Sequence, residues 1–199
     1  MTHRLTTLVL ILAAVLAGAA FGRTRADELK QAQDTLTVLK DRYGDQHPRL
    51  TEARLRLAVW SRFEKQQRSE PLILQQAWVE QDVLRLKYLE KHPEVVEQRA
   101  RVTAMEAQYA VAPGSPDILL EAISEQAAMA THFGENHPKL IDQGRKVAAL
   151  RKYLLGPGTD SVELRLARAM QEYYSARYDV NHPKLVEAAA KVAALEKQN

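Results

Sequence analysis

Four histidines, His47, His92, His137 and His182, stand 45 residues apart, and each is followed by proline: Pro48, Pro93, Pro138 and Pro183. They sit in the octets YGDQHPRL, YLEKHPEV, FGENHPKL and YDVNHPKL. Imidazole is the commonest metal ligand and a proton carrier near neutral pH, so a ladder of histidines is the first place to look for chemistry. The spacing argues against a shared metal. Equivalent residues in stacked helical layers lie about 10 Å apart, whereas the donors of a zinc site all lie about 2 Å from one ion. His-Pro has a plainer use. Proline suits the first position of a helix, where its missing N–H would have no partner anyway. The residue before it is held extended, as a helix cap must be. The four histidines are therefore expected at N-caps, each with a ring nitrogen accepting a first-turn N–H.

An aromatic residue stands four before each histidine: Tyr43, Tyr88, Phe133 and Tyr178. These rings would serve a ligand-stacking ladder or a core. Their helical spacing from neighbouring apolar positions assigns them to the hairpin core. His132, five before His137, reads as a solvated side chain near a turn. A base stands nine after each histidine: Arg56, Arg101, Lys146 and Lys191, with Arg54, Arg99 and Arg145 close by. Stacked repeats align these bases into a stripe that would meet anionic glycan, lipid headgroups or an acidic partner helix. The plainer reading is a solvated face with acid partners four residues away, and the interspersed acids favour it. Other reactive arrangements are not read in the chain. It has no cysteine, which removes disulfides, thiolate chemistry and zinc–thiolate sites. It has no glycine-rich phosphate loop, nucleophile elbow or His-Glu-x-x-His pair. No catalytic residue, metal ligand or cofactor is assigned.

The elements that position these residues follow from the same period. Counted from each histidine, Leu29, Leu74, Leu119 and Leu164 stand eighteen before, and Ala32, Ala77, Ala122 and Ala167 fifteen before. Leu50, Val95, Leu140 and Leu185 stand three after. Leu57, Val102, Val147 and Val192 stand ten after, and Trp60, Met105, Leu150 and Leu195 thirteen after. Steps of three, four and seven mark one buried face of a helix. The recurrent alanine implies a close approach of two helices. Each repeat thus holds two helices divided at His-Pro. Expected spans are 26–42, 48–64, 71–88, 93–109, 116–132, 138–154, 160–177 and 183–197. Heptad phase runs through His-Pro, so a kinked continuous helix competes with a true break. The cost of an interior proline, about 3 kcal/mol, favours the break. Gly44 and Gly134 are expected in the left-handed conformation at helix ends. Ser115-Pro116-Asp117 reads as cap, first-turn proline and first-turn acid.

The predicted fold is all-α: a tandem array of four helix-turn-helix repeats, an α-solenoid or stack of helical hairpins, over about 25–69, 70–114, 115–159 and 160–199. Composition agrees. The 199 residues are 46% hydrophobic and 27% charged and are rich in helix formers. A net charge of +3 leaves no footprint for nucleic acid. Residues 1–20 stand apart from the repeats. MTHRLTTLVLILAAVLAGAA has a basic start, an uncharged apolar run and Ala17-Gly18-Ala19, the pattern of a cleaved export signal. A short uncleaved anchor in the inner membrane is the alternative. The repeat domain, 21–199, is expected in the periplasm or outside the cell.

The segments RLKYLEKHPEVVEQRARVTAMEAQ and RYDVNHPKLVEAAAKVAALEKQ resemble the helical hairpin of bacterial polysaccharide chain-length determinants, in which His-Pro opens a coiled-coil-like helix. The resemblance covers about 25 residues of each repeat. This chain departs from that family in carrying four tandem copies. YGDQHP and FGENHP are also similar to the helix junction of kinesin-light-chain-type tetratricopeptide repeats, whose period is shorter. The first resemblance implies an anchored structural accessory of polysaccharide export that assembles by coiled-coil packing and self-association. The second implies a concave scaffold for proteins or peptides. The expected function is non-enzymatic: an exported repeat protein that binds or scaffolds protein partners in the cell envelope.

Overall fold

A computed structural model describes residues 23–198 of the chain, which fold into eight α-helices joined by short turns. The expected export segment at 1–20 lies outside the described residues. The chain divides into two compact units after Leu72.

The first unit is one hairpin, α1 (Arg25–Arg42) and α2 (Pro48–Lys65). Helix α1 opens on a capping box: Thr24 Oγ1 accepts the Asp27 N–H at 3.2 Å, and the Asp27 carboxylate accepts the Thr24 N–H at 2.8 Å. The two helices close on Leu36, Leu50 and Ala53, with Leu39 and Leu57 against them. Trp60 and Phe63 meet edge to face at 5.8 Å. Beyond α2 the chain reverses through Gln67, which holds φ at 47°, the left-handed region. Arg25 reaches across the hairpin and donates to the carbonyls of Phe63 and Arg68, covering the open end of α2.

The second unit holds three hairpins: α3 (Leu72–Lys87) with α4 (Pro93–Val111), α5 (Asp117–Ala130) with α6 (Pro138–Leu154), and α7 (Val162–Ser175) with α8 (Pro183–Glu196). Each helix from α4 to α7 packs on both its chain neighbours. Leu74, Met105 and Leu120 join α3, α4 and α5. A larger cluster on α5, α6 and α7 centres on Leu119, Ala122, Val147, Leu150 and Ala169. Leu164, Ala167 and Val192 tie α8 to α7. The array of four helical hairpins is therefore the architecture the period demands. The eighteen-before leucines of the last three copies are 0–1% exposed.

Two glutamines six residues after the histidine strengthen this packing. Gln98 Nε2 donates to the Ala77 carbonyl, and buried Gln143 Nε2 donates to the Ala122 carbonyl, both at 2.9 Å. Both acceptors are the recurrent alanines. Their small side chains bring the partner helix near enough for a side-chain amide to share a helical carbonyl. The equivalent positions in the outer copies, Ala53 and Ala188, carry no such group.

Local details differ from expectation. Ser115 is not a cap. Pro116 takes the cap position with no side-chain hydrogen bond, and Ser115 turns back: its hydroxyl donates to the Ala112 carbonyl at 2.7 Å and accepts from buried Gln108 at 3.0 Å. Neither Gly44 nor Gly134 is left-handed, and a Cβ added at either meets nothing within 4 Å. Leu89 and Asp179 fill the same position in the other copies, so the turn never needed glycine. Gly156 is the constrained one, because an added Cβ would lie 2.4 Å from the Lys152 carbonyl oxygen.

Candidate functional site

The four His-Pro turns are built alike. Helices α1, α3, α5 and α7 each end a few residues before the histidine, and Tyr43 closes α1 in an extended conformation, so the chain breaks and does not kink. The histidine N–H donates back to the carbonyl three residues earlier, at 2.9–3.0 Å in all four copies, closing a β-turn. Each histidine then caps the next helix. Its Nδ1 accepts the N–H of the second helical residue: from Arg49 at 3.2 Å, and from Glu94, Lys139 and Lys184 at 3.3 Å. An accepting Nδ1 has no proton, so the neutral ring carries its hydrogen on Nε2. That tautomer leaves no lone pair for a metal or a proton-abstracting role while the cap is made.

The aromatics join the turns and not the hairpin core. Tyr43, Tyr88, Phe133 and Tyr178 stack on His47, His92, His137 and His182 with centroids 4.0, 3.9, 4.0 and 3.7 Å apart. The rings are half-buried or exposed. Each copy therefore carries a clasp of aromatic, histidine and proline that fixes the imidazole plane and aims Nδ1 at the helix. In each clasp one face of the aromatic ring is taken by the imidazole. Among the described residues, no three His, Asp or Glu side chains gather as metal ligands would.

Each of the four bases of the expected stripe is held in an ion pair. Arg56 meets Glu52 at 3.2 Å and Arg101 meets Glu97 at 2.7 Å, each pair one turn apart on its helix. Lys146 meets Glu125 at 3.6 Å and Lys191 meets Glu163 at 3.7 Å, across their hairpins. Arg54 and Arg99 pair with Asp45 and Glu90. An anionic glycan or headgroup would have to displace a carboxylate at each step. Surface pairs of this kind hold by about 1 kcal/mol or less.

His132 is not simply solvated. Its Nε2 lies 2.9 Å from a Glu97 oxygen on α4. Burial alone would raise the Glu97 carboxyl, but hydrogen bonds from His132 and Arg101 outweigh it and hold the carboxyl below its usual range. One layer on, Asp142 of α6 accepts from the Tyr173 hydroxyl of α7 at 2.9 Å and from Arg177, just beyond the end of α7. Arg165 of α7 covers the end of α6, donating to the carbonyls of Tyr153 at 2.6 Å and Gly156 at 2.9 Å.

A groove of about 650 Å³ lies along the last hairpin, against α7 and α8. Its apolar side is made by Val180, Leu185, Val186 and Ala189, with Tyr153 of α6 at one edge. Val180 is 77% exposed and Val186 53% exposed. Charges on the rim are already engaged: Glu172 with Lys152 at 2.5 Å, and Arg168 with Asp160 at 2.5 Å and Glu196 at 2.8 Å. Polar Gln171 also lines the groove. Gln81 and Gln126 hold the same position in the second and third copies and Leu36 in the first, so the groove does not come from the sequence register.

No family model matches this chain, and no curated protein or solved structure matches it either. The class is defined by the fold itself: a tandem array of helical hairpins clasped at aromatic–His-Pro turns.

Proposed function

We propose that this chain is a non-enzymatic helical-repeat scaffold of the cell envelope that holds a protein partner along the groove of its fourth hairpin. The observation that carries the reading is the pair of exposed valines, Val180 and Val186, beside a half-buried Leu185 in an open concavity. Apolar side chains in an open groove suit an amphipathic helix or an extended segment that lays down one apolar face. The rim adds support. Its charges are satisfied internally, so a partner's apolar face meets them without leaving a carboxylate or guanidinium newly unpaired. The apolar run at 1–20 supports delivery outside the cytoplasm.

The test is an in-cell crosslink of the tagged full chain, with mass spectrometry of the N-terminus and of captured proteins, run in parallel on Val186→Asp. A start near Ala20 and one dominant protein partner lost in Val186→Asp is the expected result. Capture unchanged by Val186→Asp removes the groove reading. An intact N-terminus with glycan-export components captured would favour the anchored accessory of polysaccharide export.

A further inference from the structure

An acid stands five residues after every histidine, Glu52, Glu97, Asp142 and Glu187, and a base stands five before every one, Arg42, Lys87, His132 and Arg177. Within the second unit these two positions meet across consecutive repeats. Glu97 pairs with His132 of the next hairpin, and Asp142 pairs with Arg177 of the one after. The surrounding contact is also repeated. On the receiving helix the residue twelve after the histidine is small, Ala104 or Ala149, and both pack in the same cluster. On the incoming helix the residues thirteen and nine before the histidine are buried: Ser124 and Ala128 on α5, Ala169 and Tyr173 on α7. One interface thus recurs, with a small-residue seam and an acid–base pair at one end.

Each end of the array carries half of that interface uncovered. Helix α8 presents Glu187, Ala190 and Ala194, all exposed, on the face that α4 and α6 use to receive the next hairpin. Helix α1 presents Asp34, Val38 and Arg42, all exposed, on the face that α5 and α7 use to dock. Val38, the counterpart of buried Ala128 and Tyr173, is 50% exposed.

We propose that a second copy of this chain covers these faces, α1 of one molecule docking on α8 of another so that Arg42 meets Glu187 and Val38 lies on the alanine seam. The charge complementarity is the same acid–base pairing that joins the internal repeats, and the seam continues their packing in register. The contact is heterologous: it uses two different surfaces of one molecule and so builds head to tail. Asp34 stands where the internal copies have Ser124 or Ala169, which makes this joint weaker than the internal ones and dependent on concentration. The inference does not use the groove of the fourth hairpin.

Sedimentation velocity of the full chain across a thousandfold concentration range tests it. Expected is reversible association that Arg42→Glu or Glu187→Arg, each an exposed substitution, weakens at least tenfold while leaving the helical circular dichroism unchanged. An equimolar mixture of the two variants should restore it, because every joint then pairs opposite charges. A wild-type chain that is monomeric throughout, or association indifferent to both reversals, would overturn the proposal.

Discussion

The third and fourth hairpins share one sequence pattern and bury very different amounts of it. Helix α5 encloses Leu119, Leu120, Ala122, Ile123, Ser124 and Ala128, because α4 and α6 lie against two of its faces. Helix α8 encloses Val192 alone, although it carries the apolar register of α6, which encloses Gln143, Val147, Ala149, Leu150 and Leu154. Pattern alone does not decide burial. Position in the array does, because a repeat completes its core only with a neighbour on each side. The same contrast separates the parts that hold the fold together from the parts left exposed.

The largest effect should come from testing that contrast at its core. Leu119 is fully enclosed between helices, so Leu119→Ala should cost about 3–5 kcal/mol, transfer plus cavity. Val192→Ala, on a helix with one neighbour, removes less volume beside solvent and should cost about 1 kcal/mol. Urea denaturation of both variants reads the difference. Equal losses would mean that the fourth hairpin is as well supported as the third.

The clasp comes next. His137→Ala removes a cap worth about 1 kcal/mol and a stack with Phe133 worth about 0.5–1.5 kcal/mol. His137→Asn keeps a cap acceptor and loses only the stack, so it should recover roughly half of the loss. The same pair at His182 should give the same split, since the clasp is local and ignores the neighbouring hairpins. A fourth-hairpin histidine that cost much less would show that the clasp depends on support from the next repeat.

These cases show what could be read from the chain. The hairpins, their breaks at His-Pro and the buried leucines were legible because they repeat, and a repeat aligns against itself. The histidine cap was legible because proline fixes the geometry on both sides. The stack of Tyr43 on His47 was not, because a ring four residues from a turn fits a core as well as a clasp. The acid–base joint was present in the letters at Glu97, His132, Asp142 and Arg177. It stays hidden while one counts apolar positions, because charges are read as solvated unless a partner helix is known. Gln143 was hidden for a related reason: its value comes from the closeness of Ala122 on another helix. The groove was hidden as well, because the exposure of Val180 and Val186 depends on which helices lie beside them and not on their own letters.

Acid should sharpen the comparison between joints. The Glu97 carboxyl is held below its ordinary value of 4.5, so its pairing with Arg101 and His132 contributes stability above that value. The contribution is lost as pH falls through the lowered folded value. Glu97→Gln should therefore flatten the decline of stability between roughly pH 5 and 3, by about 0.5–1 kcal/mol. Denaturation midpoints at closely spaced pH values would show it. A wild-type slope identical to that of the variant would mean that the joint is held by packing and not by charge.

The smallest effect separates the turns from the chain ends. Gly134 lies after Phe133 with a negative φ or extended backbone, and a Cβ there touches nothing. Gly134→Ala restricts the unfolded chain without a clash in the folded one, so it should stabilise by a few tenths to about 1 kcal/mol. Gln67 makes the opposite case. Its left-handed φ of 47° strains a side-chain-bearing residue, and Gln67→Gly relieves that strain at the cost of a freer unfolded chain. The two terms oppose, leaving a gain of about 0.5 kcal/mol, and thermal melts of both variants would resolve it. If Gly134→Ala destabilised, the third turn would need a freedom that Leu89 and Asp179 show the second and fourth turns do without.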